Sequence, residues 1–237
     1  MNLNLLLISN STNPGEEYLG WPRPYMKDFL QAFPVKKLLF VPFAGVTISW
    51  DDYTERVRKV FAGLGYELHS LHQSREPLHE VHRAEAIVVG GGNTFSLVRE
   101  LQRSGLMHAI RERCMQGIPY LGWSAGSNIT CPSLRTTNDM PIVQPDSFEC
   151  MNLIPFQINP HYLDAHPEGH GGETREQRIA EFLEANPGMF VAGLRESCLL
   201  EYRENQLLLK GAHSMRLFRS GQEASEIPSG SNLDFLL

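Results

Sequence analysis

Residues 119–127 read Pro-Tyr-Leu-Gly-Trp-Ser-Ala-Gly-Ser, and they decide the fold. Ile118, Tyr120 and Leu121 make a short apolar run that stops at Gly122, the pattern of a strand buried on both faces. Gly122-Trp123-Ser124-Ala125-Gly126 then fits Gly-x-Ser-x-Gly, the signature of a serine on a sharp turn from strand to helix. Such a turn strains its central residue, and glycine on either side lets neighbouring chain approach. A helix starting just after Ser124 aims its first free N–H groups, Ala125 among them, at an oxyanion forming beside the hydroxyl.

Before this stretch, Leu3–Ile8, Lys37–Phe43, Tyr66–Leu71 and Ala84–Val89 read as buried strands. Val57, Val60, Phe61 and Leu64 form one helical stripe that ends at Gly65. Ala84–Val89 runs into Gly90-Gly91-Gly92-Asn93-Thr94, after which Phe95, Val98 and Leu101 face one side of a helix stopping near Gly105. Beyond the stretch, an irregular segment, Pro132–Asn152, leads to a strand at Leu153–Asn159 that delivers Pro160-His161. Thr174–Ala185 is helical, and Phe190–Leu194 is a strand delivering Arg195-Glu196. Leu199–Tyr202, Leu207–Leu209 and Ser214–Phe218 suit a C-terminal antiparallel meander, and the Ser- and Gly-rich tail 221–237 is expected to be loosely held.

Strands alternating with helices predict a three-layer α/β fold around a mainly parallel central sheet, as one domain over residues 1–237. Ligands bind such sheets outside the carboxyl ends of the strands. Ser124, His161 and Glu196 each follow a predicted strand, at separations of 37 and 35 residues. One strand–helix–strand unit needs about 30 residues or more, so all three can converge on one edge.

The net charge of −6, with basic residues scattered, speaks against nucleic acid and anionic membranes as partners. Four cysteines without Cys-x-x-Cys spacing are too few for a disulfide scaffold and suit a reduced cytoplasm. The N-terminus lacks a basic leader region, and no run approaches the length of a membrane span.

Ser124 as nucleophile needs a base, and His161 is the best placed, although a strand-end histidine also serves simply to cap a strand. Two acids can orient it. Glu196 gives the order Ser-His-acid; Asp139 gives the Ser-acid-His order of α/β-hydrolases but lies in a loop of unknown path. Glu196 is favoured. The Gly90–Asn93 run lacks the spacing of a phosphate loop and better suits a second oxyanion N–H, from Gly91 or Gly92. His161, His166 and His170 with Asp164 and Glu168 read as metal ligands only weakly, since no His-Glu-x-x-His pattern appears; neither metal nor cofactor is expected. His69, His72, His79 and His82 lie on a polar connector that reads as solvated. Arg175, in the first turn of its helix, is the candidate cation for a substrate carboxylate, with Arg135 and His170 next and Asn93 a further contact.

Ile-Ser-Asn-Ser-Thr (8–12), Val-Pro-Phe-Ala-Gly-Val-Thr (41–47), Trp-Asp-Asp-Tyr (50–53), Val-Gly-Gly-Gly-Asn-Thr-Phe (89–95), Gly-Trp-Ser-Ala-Gly (122–126), Arg-Thr-Thr-Asn-Asp-Met-Pro-Ile-Val (135–143), Gln-Ile-Asn-Pro-His (157–161) and Gly-Glu-Thr-Arg-Glu-Gln-Arg (172–178) together closely resemble the peptidase E family of α-aspartyl dipeptidases. The resemblance runs from residue 4 to about residue 220. It implies a cytosolic, metal-free serine peptidase that cleaves dipeptides with an N-terminal aspartate; the expected partner is a small peptide substrate, and the expected state a monomer or homodimer. It also implies a fold related to the class I glutamine amidotransferases and flavodoxin-like proteins. The family's Ser, His and Glu fall on Ser124, His161 and Glu196, and its loop Asp, sometimes given the charge-relay role, falls on Asp139. The chain departs where Arg195-Glu196-Ser197-Cys198 replaces the family's usual Pro-Glu-Gly-Asn. The alternatives are a cyanophycinase-like serine exopeptidase and a catalytically silent binding protein on the same scaffold.

Overall fold

The structure is a computed structural model and describes residues 3–164, 169 and 171–237. Strands β1 (Asn4–Ile8), β2 (Lys37–Val41), β3 (Glu67–Ser70), β4 (Ala86–Val89) and β5 (Pro119–Trp123) run parallel. β6 (Gln157–Tyr162) and β7 (Phe190–Arg195) belong to a second sheet, while β8 (Cys198–Arg203) and β9 (Gln206–Gly211) return to the first as a hairpin. β10 (Met215–Arg219) and β11 (Ser225–Ile227) complete the second sheet. The central sheet has seven strands in the order β3-β2-β4-β5-β1-β8-β9, with only β8 and β9 antiparallel to their neighbours. The smaller sheet has four, in the order β11-β10-β7-β6, with β6 and β7 parallel and the others antiparallel.

The continuous apolar runs of β1, β2 and β4 follow from burial on both sides. Leu6, Ile8, Phe40 and Val88 face helices α1 (Arg23–Gln31) and α2 (Trp50–Gly63), which supply Met26, Phe29, Val57 and Phe61. Leu5, Leu7, Val41 and Val89 face the opposite side. There, α3 (Pro77–Arg83), α4 (Thr94–Arg103) and α5 (Leu106–Met115) share the cover with the inner face of the second sheet, through Ile158, Ala192 and Met215. The one-turn helix α6 (Ala125–Asn128) follows β5, and α7 (Arg175–Ala185) closes the outer face of the second sheet with Ile179 and Leu183 on Tyr162 and Phe218. Thr174 and Gln177 form a reciprocal capping box at its start.

Three expectations are corrected. The C-terminal strands do not form one meander: β8 and β9 extend the central sheet beside β1, whereas β10 crosses to pair with β7. His161 and Glu196 therefore come from the second sheet and not from the central one. The tail is also pinned. β11 pairs with β10, Leu233 N–H donates to Leu207 O at 2.7 Å, and Leu233 and Leu236 are buried. Its small polar residues occupy turns between these anchors.

Candidate active site

Ser124 sits where β5 breaks. Its φ of +53° with ψ of −112° is unfavourable for any residue with a Cβ, and the surroundings impose it. Its N–H donates to Ile8 O at 3.0 Å, and its carbonyl accepts from Ser127 and Asn128 N–H at 3.0 and 2.9 Å. The flanking glycines are required by contact: a Cβ at Gly122 would strike the Gly126 carbonyl, and one at Gly126 the Val89 carbonyl of β4. Ala125, the first helical residue, has no acceptor for its N–H within its helix.

Gly91 lies against this turn, close enough that a Cβ there would come within 3.0 Å of Ser124 Cβ. Its carbonyl accepts from the Tyr53 hydroxyl at 2.9 Å, and that oxygen in turn accepts from Trp123 Nε1 at 3.2 Å. Because the C=O and N–H of one trans peptide point opposite ways, this bond turns Gly92 N–H away from Tyr53. Gly90 and Asn93 N–H are committed to Val41 O and Ala44 O at 3.1 and 2.8 Å. The donors left at this loop are those of Gly91 and Gly92. Burial pushes the Tyr53 hydroxyl up to about 12, so it stays a neutral donor.

His161 occupies a bulge in β6, where the register with β7 shifts between Pro160 and Tyr162, and its φ is +52°. Its ring bridges the other two residues. Nδ1 lies 2.8 Å from Glu196 Oε1 and Nε2 lies 3.0 Å from Ser124 Oγ. A proton on Nδ1, donated to the carboxylate, leaves Nε2 to accept from the serine hydroxyl. Ser9, just past the end of β1, holds this arrangement across the two sheets: its hydroxyl donates to Leu194 O at 2.7 Å and accepts His161 N–H at 2.9 Å. Asn10 does the same for the acid's turn, its Oδ1 accepting Ser197 N–H at 2.9 Å. Ser197 has φ +62°, the left-handed conformation for which glycine is suited.

Arg195 anchors the other side of Glu196. Its guanidinium donates to both carboxylate oxygens of Asp164 (2.7 and 2.8 Å) and both of Glu226 (3.0 and 2.7 Å). The shared hydrogen bonds raise the Arg195 pKa, lower that of Asp164, and hold the Glu226 carboxyl down at about 2.

The remaining candidates lie apart from the ring. The Asp139 carboxylate accepts from Thr94 N (2.7 Å), Thr94 Oγ1 (2.6 Å) and Thr137 Oγ1 (3.0 Å), at the start of α4. It borders the same cleft as Ser124 but makes no hydrogen bond to His161. Asn93 caps α4, its Oδ1 accepting Ser96 N–H at 3.0 Å and its Nδ2 donating to Met140 O at 2.9 Å, so its amide is already engaged. Arg175 is half-buried behind His161, with Nη1 3.4 Å from Asn159 Oδ1 and 3.5 Å from His161 O; burial and the neighbouring Arg178 lower its pKa. Arg135 pairs with Glu149 at 3.5 Å. His166, Glu168 and His170 lie outside the described residues. His72 is not solvated as expected: its ring lies 2.6 Å from Ser70 Oγ and 3.0 Å from Asp51 Oδ1, with a side chain 12% exposed.

The cleft beside Ser124 has a volume of about 690 Å³. Besides Ser124 and His161, its wall includes Tyr18, Gly91, Trp123 and Arg56. Sequence reading missed Ser9, Asn10, Tyr53 and Arg56. For Ser9 and Asn10 the signal was present, since they follow a parallel strand's carboxyl end as Ser124 does.

A family model for peptidase family S51 matches residues 5–210. The chain belongs to peptidase family S51. Membership makes it a serine peptidase. It is 49% identical over 237 residues to a peptidase E of Nostoc sp., an alignment covering 100% of this chain and 98% of the relative. It is 44% identical over 228 residues to a peptidase E of Salmonella newport, covering 96% of this chain and 99% of the other. A crystal structure of a peptidase from an acI-B1 Actinobacterium superposes with a TM-score of 0.71 over 98% of this chain and 97% of that one, at 18% identity. That likeness shows the shared fold.

Proposed function

We propose that this chain is a serine dipeptidase that hydrolyses dipeptides with an N-terminal aspartate, with Ser124 as nucleophile, His161 as base and Glu196 as the acid that orients it. The observation that carries this reading is the unbroken line of short contacts from Ser124 Oγ through the His161 ring to Glu196 Oε1. The aspartyl specificity rests on the peptidase E relatives. In this mechanism His161 Nε2 takes the Ser124 proton as Oγ attacks the scissile carbonyl. The oxyanion lies on the N–H groups of Ala125 and of Gly91 or Gly92, and water then releases the aspartyl group from the serine ester. Arg175 supplies the cation for the aspartyl side chain, its guanidinium lying beside the carbonyl of the base. A cytoplasmic location fits four cysteines that are all free, and no helix among the described residues is long and apolar enough to cross a membrane.

The test is turnover of Asp-Leu, Asn-Leu and Glu-Leu by the wild type and by Ser124→Ala. Wild type should cleave Asp-Leu best. Ser124→Ala should keep the wild-type melting temperature and retain only trace turnover. Substantial hydrolysis by that variant would remove Ser124 from the chemistry; equal use of the three substrates would remove the aspartyl specificity.

A further inference from the structure

A dipeptide that begins with aspartate carries two carboxylates, and the cation assigned above serves only one of them. We propose that Arg56 binds the other, the free C-terminal carboxylate, and so makes the enzyme select for substrate length. This deepens the dipeptidase reading and rests on it.

Among the described residues that line the cleft holding Ser124 and His161, Arg56 is the one lysine or arginine; Arg175 is not part of that wall. Arg56 projects from α2 with its guanidinium 4.1 Å from the centre of the Tyr18 ring. Stacking fixes the plane of the cation and leaves its N–H edges free, the orientation a carboxylate needs for a forked contact. The stack is itself fixed relative to the nucleophile. Tyr18 meets Trp123 edge-on at 6.4 Å, Trp123 immediately precedes Ser124, and the Tyr18 hydroxyl lies 3.4 Å from that of Tyr53. Burial raises the pKa of both tyrosines, so the platform stays uncharged.

No carboxylate among the described residues lies within ion-pair distance of Arg56, although α2 is rich in acids: Glu55 pairs with Arg58 instead, and Asp52 accepts from Ser49. A molecule of net charge −6 thus presents an unpaired, aromatic-backed cation in the cleft beside its nucleophile. An interior residue of a longer peptide has no carboxylate to place there. Arg56 is solvent-exposed, which suits the terminal end of a substrate and tempers the strength of the contact.

The experiment compares kcat and KM for Asp-Leu, Asp-Leu-amide and Asn-Leu in the wild type, Arg56→Met and Arg56→Lys, with melting temperatures for each. Wild type should favour Asp-Leu over its amide by about tenfold, the lower range for a charged contact open to solvent. Arg56→Met should bring the acid-to-amide ratio close to one through a raised KM for Asp-Leu, keep the Asp-over-Asn preference, and melt like wild type. Arg56→Lys should recover part of the ratio. Wild-type indifference between acid and amide, or an Arg56→Met loss equal on both, overturns the proposal. Loss of the Asp-over-Asn preference overturns it too, because Arg56 would then read the aspartyl side chain. Failure of wild type to cleave any of the three defeats the dipeptidase reading itself, and Arg56's role with it.

Discussion

Two carboxylates compete for the role of orienting acid, and their surroundings separate them. Glu196 Oε1 lies 2.8 Å from His161 Nδ1, whereas Asp139 has its accepted hydrogen bonds at the N-terminal turn of α4, from Thr94 and Thr137. An amide in place of the acid that sets a histidine's tautomer removes rate on the order of 10⁴. Glu196→Gln should therefore lose turnover on that scale at an unchanged melting temperature. Asp139→Asn should instead lose stability, about 1 kcal/mol for a charged acceptor turned neutral at a helix start, with turnover within tenfold of wild type. Steady-state kinetics with thermal melts decides it, and the reverse ranking transfers the role to Asp139. Ser197 accounts for one residue of the departure from the family motif: a serine at φ +62° adopts the backbone conformation that a glycine would supply there, and the N–H bond to Asn10 holds it.

The short strand pair that delivers His161 and Glu196 carries the Arg195 fork, which bonds Asp164 and Glu226. Glu226 has its folded-state carboxyl at about 2, against an ordinary unfolded value of about 4.3. A depressed folded pKa stabilises the native state above the unfolded pKa, and that contribution disappears as pH falls through about 2. Glu226→Gln should lower stability at neutral pH and flatten its decline between about pH 5 and pH 2. Because the Glu226 side chain is 46% exposed, the difference should be modest and shrink in high salt. Urea melts across that range test this; parallel wild-type and variant curves would show the fork to be inert. The strands themselves were legible, because β1, β2, β4 and β5 are apolar runs ended by Gly, Ser or Pro. Their allotment to two sheets was not: a buried run looks alike in either sheet, and β6 and β7 are parallel as a central pair would be. α1 was invisible for a local reason. Its start carries Pro22 and Pro24, residues that usually break a helix, yet in the first turn a proline lacks no hydrogen bond the helix needs. That Ser124, His161 and Glu196 can meet was legible because each stands at or near a strand end, whereas Arg56, exposed in mid-helix, looks in sequence like any solvated arginine.

At the scale of the molecule, the C-terminal tail acts as a clasp on the edge of the central sheet. Leu209 N–H donates to Ser231 O at 3.0 Å, and Leu233 and Leu236 fill the core that β9 borders. Leu233→Ala should cost about 2–5 kcal/mol, the range for emptying a buried leucine site. Phe235→Ala, at a residue 59% exposed, should stay within about 0.5 kcal/mol of wild type. Chemical denaturation of the two variants checks this, and equal effects would mean the tail is not packed as described. The single hydroxyl of Ser9 has a consequence in time. It lies near the start of the chain, yet its acceptor, Leu194 O, and the His161 N–H that it accepts lie far along it. During synthesis Ser124 leaves the ribosome before His161, and both leave before residue 194. The line of contacts from Ser124 through His161 to Glu196 therefore cannot close until residue 196 has been made, and a chain stopped before residue 161 carries Ser124 with no His161 to meet it.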